Sequence, residues 1–163
     1  MHDMIHEIYP AIVNDPDTIV RKKRLVERAQ RIIAISENTK KDLVEITGIN
    51  PNKIDVVPLA SSIGGATKQK PKVVTGLRYI LYVGQRGGYK NFERFFRAVV
   101  PLMLADKTMY LLCVGGRSVN GKFSDGESLM IAEAGLTGRV VLKGVTDQEL
   151  EAVYAGAICF VFP

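Results

Sequence analysis

Short runs of consecutive apolar residues, separated by segments long enough for one helix, constrain how the second half of this chain can fold. The runs cover residues 79–83, 109–114, 140–142 and 158–162. Strands made of continuous apolar residues are typical of a parallel sheet that is covered on both faces by helices. The pattern predicts strands at these runs, with helices at residues 91–104, 127–134 and 147–154 between them. The predicted fold class is therefore α/β, a Rossmann-like parallel sheet with helices on both faces.

The first 60 residues carry a shorter pattern of the same kind. It predicts a basic amphipathic helix, a strand, a second helix and a second strand, at residues 19–30, 31–35, 40–47 and 54–57. Residues 36–39 (SENT) offer an N-cap for the second helix, and Gly48 ends it. Residues 61–76 are rich in Ser, Gly, Thr, Lys, Gln and Pro, which predicts a linker.

The two ends of the chain shape the expected domain organisation. The last predicted strand reaches Pro163 with no helix after it. The elements predicted before the linker are too few to make an α/β domain without further strands. We therefore expect both ends of the chain to be fragment ends. The predicted organisation is the tail of a first domain at residues 1–60, a linker at 61–76 and an incomplete second domain at 77–163. An uncovered sheet face exposes apolar surface, so self-association is also expected.

Composition and charge narrow the class of protein. With 47% hydrophobic and 24% charged residues, the sequence is that of a globular protein, which excludes collagen, coiled coil and general disorder. It has neither a long apolar span nor a signal peptide, so we expect a cytoplasmic protein. The formal charge of +5 indicates an anionic partner: a phosphorylated small molecule, a membrane surface or nucleic acid. Aromatic residues are too few for base stacking, which argues against a nucleic-acid partner. The basic residues 21–28 are compatible with binding at the inner face of a membrane.

The cysteine and histidine residues offer no metal-binding or nucleophilic pattern. Cys113 and Cys159 both lie inside apolar runs, so we expect both thiols to be buried, reduced and inert. The sequence has two histidines, His2 and His6, which do not combine with the cysteines in any zinc-binding spacing, so no metal is predicted. The absence of a Ser-His-Asp set and of a nucleophile elbow argues against a hydrolase.

In open parallel sheets, ligands bind beyond the carboxyl ends of the strands, and the loop after residues 79–83 is the most informative. Its glycines allow close approach of a ligand to the backbone, and Arg86 and Lys90 add positive charge beside a helix N-terminus. This combination suits a diphosphate, although a tight turn with two solvated basic residues has the same composition. The spacing does not match the dinucleotide fingerprint G-x-G-x-x-G.

The loops after the next two predicted strands are less specific. Residues 116–122 fit the P-loop spacing G-x-x-x-x-G-K, but Phe123 stands where a P-loop needs Ser or Thr for magnesium, so no P-loop is expected. In the following loop, Gly144 allows close approach, and Thr146 or Asp147 caps a helix that has Glu149 in its first turn.

Consecutive blocks of the sequence resemble those of family 4 glycosyltransferases of the group 1 type. In chain order these are residues 2–4 (HDM), 31–40 (RIIAISENTK), 53–58 (KIDVVP), 79–84 (YILYVG), 90–92 (KNF), 144–150 (GVTDQEL) and 160–163 (FVFP). The resemblance implies the GT-B fold, in which two Rossmann-like domains face a cleft. It also implies hexosyltransferase activity with retention of configuration, from a nucleotide-diphosphate sugar to a carbohydrate or lipid-linked acceptor in polysaccharide or glycoconjugate synthesis. No metal and no cofactor besides this donor is implied.

The resemblance also implies roles for individual residues. Arg86 and Lys90 would hold the donor diphosphate and neutralise the leaving group, while Gly84 would allow close approach. The nucleotide base would meet the backbone of Lys143, Gly144 and Val145, with Leu150 packing nearby. His2, in the first domain, would be the catalytic residue that faces the transferred sugar.

Two glutamates of the family pattern would lie beyond Pro163, so we expect the isolated chain to be inactive. The alternative interpretation is a non-catalytic α/β module that binds nucleotides or phosphates and completes its sheet by association. A sugar-nucleotide epimerase or dehydrogenase would need a dinucleotide fingerprint and a Tyr-x-x-x-Lys pair, which the sequence lacks.

Overall fold

The structure, a computed structural model, describes residues 1–60, 76–115 and 121–163, except for the side chain of Tyr89. The chain divides into two compact units, Met1–Ser62 and Ile63–Pro163. The elements of the first unit are α1 (Ile5–Ile8), α2 (Pro10–Val13), α3 (Pro16–Arg28), β1 (Ile32–Ala34), α4 (Glu37–Thr47) and β2 (Ile54–Val56). Those of the second are β3 (Arg78–Val83), α5 (Phe92–Ala105), β4 (Met109–Val114), α6 (Asp125–Glu133), β5 (Val140–Lys143), α7 (Asp147–Gly156) and β6 (Cys159–Val161).

The second unit contains a four-stranded sheet in the order β5-β4-β3-β6, and all three of its strand pairs are parallel. In the central pair, Arg78 lies opposite Met109 and Val83 lies opposite Val114. The middle of both central strands is buried. The predicted α/β parallel sheet is therefore confirmed, and its strands occupy the four apolar runs.

Helices pack on both faces of this sheet. On one face, α5 and α6 bury an apolar cluster in which the Tyr82 ring lies edge-on to Phe92, with ring centroids 5.0 Å apart. On the other face, Val153 of α7 packs with Leu81 and Leu112. Side chains from alternate positions of one strand thus enter two different cores, which explains the continuous apolar runs.

Close packing between β3 and the end of α7 depends on a glycine. The buried Tyr79 hydroxyl donates a hydrogen bond to the Val153 carbonyl at 2.6 Å, and burial raises the pKa of this phenol. A Cβ atom at Gly156 would lie 2.7 Å from the Tyr79 hydroxyl oxygen, which is too close for any real contact. Gly156 therefore leaves the space that the tyrosine occupies.

Several helices begin earlier than the sequence predicted, because their caps lie further upstream. The Asp15 side chain caps α3 by accepting from the Thr18 amide at 3.1 Å, and Pro16 fits the first helical position. Ser36 directly precedes α4 and accepts from the Thr39 amide at 3.1 Å. Ser124 likewise caps α6. Gly48 ends α4 in the left-handed region, as predicted.

The last strand corrects one expectation. Cys113 of β4 is buried as predicted, but Cys159 of β6 is exposed, so the expectation of two buried thiols is wrong. Ile80 and Leu111 occupy the same row across the sheet as Cys159 and are buried. Val140 of the other edge strand, β5, is buried in this row too, so the difference arises because the cluster under α5 and α6 includes Ile80, Leu111 and Val140 but not Cys159. Phe160 and Phe162 near Cys159 are also exposed.

The first unit is built around the parallel pair β1 and β2, with Ile32 opposite Ile54. The Met1 carbonyl accepts from the Ile35 amide at 3.2 Å and the Met1 amino group donates to the Ile33 carbonyl, so Met1 continues the ladder beside β1. The short helices α1 and α2 were not predicted. The predicted linker at residues 61–76 lies outside the described residues except for Gly76, and so does most of the segment with P-loop spacing.

Candidate functional site

The candidate site lies at the carboxyl edge of the second sheet, where the loops after β3 and β4 meet. Gly84 has a φ of +136°, which favours glycine, and its amide donates to the Val114 carbonyl at 2.9 Å. A Cβ atom at Gly115 would lie 3.7 Å from the Gly84 nitrogen, which is ordinary contact. The Tyr82 hydroxyl donates to the Gln85 carbonyl. These bonds hold the start of the loop against β4.

Arg86, predicted to bind a diphosphate, is held by a buried ion pair. Its Nε donates to Glu127 Oε1 at 2.7 Å and its Nη1 donates to the Gly115 carbonyl at 2.9 Å. The Arg86 side chain is 5% exposed and that of Glu127 is 18% exposed. The guanidinium also lies 5.3 Å from the centre of the Phe123 ring, a distance typical of a cation–π contact. Arg86 thus connects β3, β4 and the start of α6.

Lys90, the second predicted diphosphate ligand, ends a 3₁₀ turn, Gly88–Lys90, in the same loop. Its Nζ lies 4.6 Å from the centre of the Phe162 ring, so the loop contacts the residue that follows β6. Asn91, in the left-handed conformation with a φ of 52°, is the N-cap of α5, and its side chain makes no capping bond. The first amides of α5 thus donate no hydrogen bond to their N-cap side chain.

The predicted base-binding residues follow β5, at the same edge of the sheet. Lys143 is exposed and pairs with Val114 in the ladder, which places it one strand beyond the end of β4. Two strand spacings of roughly 4.8 Å separate β5 from β3, so the loops after these strands begin about 10 Å apart. Val145 and Leu150 both pack against the apolar cluster under α7.

The start of α7 confirms the predicted cap. Thr146 and Glu149 form a capping box, in which Glu149 Oε2 accepts from the Thr146 amide at 2.8 Å. Hydrogen bonds from the Thr146 amide and hydroxyl hold the pKa of Glu149 below its ordinary value. The carboxylate therefore stays ionised next to the helix N-terminus, where negative charge is favourable.

The predicted catalytic residue, His2, lies in the first unit. Its side chain is exposed, and its carbonyl accepts a hydrogen bond from the Thr39 hydroxyl at 3.0 Å. Asp3, next to it, accepts from the Ile5 amide at 3.2 Å and lies 3.6 Å from Lys22 Nζ. These contacts order the backbone around His2 and leave its imidazole facing solvent.

A groove of about 560 Å³ runs beside the Arg86–Glu127 pair, between the starts of α5 and α6. Gly87 and Gly88 line one side, and Ser124 and Gly126 line the other. A volume of this size falls in the range of small-molecule sites. The glycines expose backbone at the wall of the groove, so its polar surface includes amide groups as well as side chains.

Sequence reasoning missed Glu127, which it treated only as the start of a helix. The pattern Ser124-x-x-Glu127 is a capping-box signal and could have located the start of α6 two residues earlier, at Asp125. Nothing local marks Glu127 as the partner of Arg86, 41 residues away in the chain.

In the described part of the chain, no helix is long and apolar enough to cross a membrane.

The fold places the chain in the GT-B class, because it matches part of solved structures of that class. A glycosyltransferase from Rickettsia africae ESF-5 superposes with a TM-score of 0.59 at 20% identity, over 80% of this chain and 37% of that one. A TarM variant from S. aureus, in complex with Fondaparinux, alpha-GlcNAc-glycerol and UDP, gives 0.58 at 16% identity, over 80% and 24%.

Sequence comparison identifies the family. The profile of the family Glycosyl transferases group 1 matches residues 65–163, and the chain belongs to this family. A curated relative, D-inositol 3-phosphate glycosyltransferase from Nocardia farcinica (strain IFM 10152), is 26% identical over 155 residues. That match covers 88% of this chain and 34% of the relative, so the chain spans about a third of the relative's length.

Proposed function

We propose that this chain is the donor-diphosphate-binding part of a retaining glycosyltransferase. The whole enzyme would move a hexose from a nucleotide-diphosphate sugar to a carbohydrate or lipid-linked acceptor. The observation that carries the proposal is the loop after β3, where Arg86 and Lys90 lie beside exposed glycine backbone at the carboxyl edge of the sheet. Family membership supports sugar transfer as the reaction class.

The chemistry of the leaving group explains why two cations would be needed there. When the bond between sugar and diphosphate breaks, negative charge develops on the departing phosphate oxygen. Fixed donors and cations at that position stabilise the transition state more than the ground state. Arg86 presents a planar set of N–H groups that matches phosphate oxygens, and Lys90 adds a compact point charge.

The remaining predicted residues would serve the other parts of the donor. The backbone of Lys143, Gly144 and Val145 would contact the nucleotide base, with Leu150 packing behind it. His2 would face the transferred sugar from the other domain. The UDP in the TarM complex supports a nucleotide diphosphate as the ligand class, and the name of the Nocardia relative supports a phosphorylated polyol among the acceptors of such enzymes.

Nucleotide titration of the 163-residue chain tests this proposal. We expect UDP, GDP or ADP to bind in the millimolar to micromolar range by calorimetry, and the Arg86→Ala and Lys90→Ala variants each to weaken binding about tenfold. Lys107→Ala is the matched control, because Lys107 is exposed and precedes β4 at the opposite edge of the sheet. Equal losses in all three variants, or none in the first two, would contradict the assignment.

We expect no turnover by the chain alone, because the glutamates of the family pattern are not among its residues. A radiolabelled donor, incubated with the chain and with acceptor mixtures, should yield no transferred label. Enzyme-like turnover would show that these 163 residues suffice for catalysis.

A second candidate is a non-catalytic phosphate-binding module that completes its sheet by association. It is favoured by the exposed apolar side chains at β6: Ile158, Phe160 and Phe162 are 51%, 42% and 64% exposed. Light scattering at increasing protein concentration should then show a defined oligomer, and Phe160→Ser with Phe162→Ser should dissolve it. A clean monomer at high concentration would exclude this candidate.

A further inference from the structure

The carboxylate of Glu127 joins two elements at the edge of the sheet. Its Oε1 accepts from Arg86 Nε at 2.7 Å, and its Oε2 accepts from the Ser124 amide at 2.8 Å. One oxygen is therefore held by the loop after β3, and the other is held at the N-cap of α6. A carboxylate fixed at both oxygens has little freedom to turn, so the guanidinium bonded to it is fixed as well.

The bonds that hold Arg86 in place use only some of the N–H groups of its guanidinium. The bonds to Glu127 and to the Gly115 carbonyl use two of the five N–H groups of the guanidinium. Among the described residues the other three N–H groups make no hydrogen bond, and Arg86 lines the groove between α5 and α6. Because the pair is mostly buried, these groups are presented in one orientation rather than in the many that a solvated arginine samples.

The other capping box of the second unit shows that this arrangement is not needed to cap a helix. Glu149 of α7 accepts from the Thr146 amide at 2.8 Å, as Glu127 does from the Ser124 amide, and also from the Thr146 hydroxyl at 3.0 Å. Both of these bonds use Oε2 of Glu149, and no arginine in the described ranges forms an ion pair with it. The contact between Glu127 and Arg86 is thus an addition to the cap.

We propose that Glu127 is a positioning residue, which orients Arg86 for the diphosphate of the donor. This inference rests on the proposed function, since it concerns how the same site is organised. An anion that meets a fixed guanidinium does not have to order a long side chain on binding, which increases affinity. The negative charge of Glu127 opposes an incoming anion, but it is already compensated by Arg86. We therefore expect the effect of orientation to exceed that of repulsion.

The Glu127→Gln variant tests the proposal, because glutamine also supports a capping box but carries no charge and has one acceptor oxygen in place of two. We expect the affinity of the 163-residue chain for UDP to fall about tenfold in this variant. Glu93→Gln is the charge-matched control: Glu93 lines the same groove and pairs with Arg97, but at an exposed position, so we expect a change below about twofold. Circular dichroism and urea unfolding show whether each variant is folded.

A double-mutant cycle shows whether Glu127 acts through Arg86. In the Arg86→Ala background, Glu127→Gln should have no further effect on UDP affinity. The Nε–H resonance of Arg86 in nitrogen-15 spectra gives a second readout that requires no nucleotide. It should be sharp and slow to exchange in the wild-type chain and broadened in Glu127→Gln.

The outcomes separate this inference from the proposed function. If Arg86→Ala binds UDP as the wild type does, the proposed function fails, and the positioning role fails with it. If Arg86→Ala weakens binding while Glu127→Gln leaves it equal or tighter, only the positioning role is overturned. A loss from Glu127→Gln that persists in the Arg86→Ala background overturns it too, because Glu127 would then act independently of Arg86.

Discussion

Strands β4 and β6 have the same apolar character but very different surroundings. Both are short apolar runs with one cysteine, and both pair in parallel with β3. In β4, Leu111 and Cys113 are completely buried. In β6, Cys159 and Phe160 are exposed. The difference follows from what packs on their faces, because the two apolar clusters include Leu111 and Cys113 of β4 but, among the described residues, no buried side chain of β6.

This contrast shows that strand formation and depth of burial are two separate properties, although one apolar run in the sequence suggests both. A run of β-branched, aromatic and other apolar residues indicates that a segment forms a strand. How deeply the strand is buried depends on what packs on its faces and along its free edge, and that is a property of other segments. The strand at residues 158–162 was therefore predicted correctly as an element, whereas its burial was not.

The largest expected difference between the two strands is in thiol reactivity. Burial raises the pKa of Cys113 to about 12 from the ordinary 9.0, so near pH 8 its thiolate fraction is about 10³-fold below that of an ordinary thiol. A disulfide reagent should modify one cysteine per chain quickly and the second only after unfolding. In Cys159→Ser the fast reaction should disappear, and two thiols of equal rate would refute the contrast.

The same shift predicts how stability depends on pH. Because the folded-state pKa of Cys113 is above the unfolded value, the folded chain keeps a proton that the unfolded chain loses. The free energy of unfolding should therefore decrease as the pH rises from about 9 towards 12. Urea unfolding across that range, compared with Cys113→Ala, measures the effect. The slope should be shallower in the variant.

Truncation in β4 should cost more than truncation in β6. Leu111 is 0% exposed, so Leu111→Ala should lower the free energy of unfolding by about 2–5 kcal/mol, through lost transfer energy and an unfilled cavity. Leu102→Ala on α5 is the matched control, since Leu102 is 54% exposed and should lose less than about 1 kcal/mol. Similar losses in both variants, measured by urea unfolding, would contradict the burial of Leu111.

The smallest expected effect is that of Phe160→Ala in β6. The Phe160 ring meets Tyr154 edge-on at 5.0 Å but stays 42% exposed, so the loss should be about 1 kcal/mol, near the value of one aromatic pair. A loss as large as that of Leu111→Ala would indicate that β6 is covered in solution, for example by a second copy of the chain. Light scattering on the same sample would identify that copy.

Much of the fold could be predicted because its signals are local. Apolar runs located the four strands of the second sheet, Gly48 marked the end of α4, and Thr146 with Glu149 marked the start of α7. The errors in helix starts arose where a cap lies upstream of the first apolar residue, as Ser124 does for α6. The short helices α1 and α2 have no pattern long enough for a periodicity to register.

The candidate site was predictable only in part. Because carboxyl ends of parallel strands meet at one edge, the loop that holds Arg86 and Lys90 could be selected from the sequence. That Arg86 forms an ion pair with Glu127 depends on the packing of α6 against β3 and β4, which no local pattern encodes. The cation–π contact between Lys90 and Phe162 likewise depends on the pairing of β6 with β3.

The packing of Tyr79 against Gly156 has a consequence for how relatives of this chain can diverge. The tyrosine hydroxyl fills the space that a side chain at position 156 would need, so position 156 cannot gain a side chain while the tyrosine is kept. An alanine at position 156 fits only after the hydroxyl is lost, as in Tyr79→Phe. The two positions should therefore covary among homologues, with glycine retained wherever the tyrosine is kept.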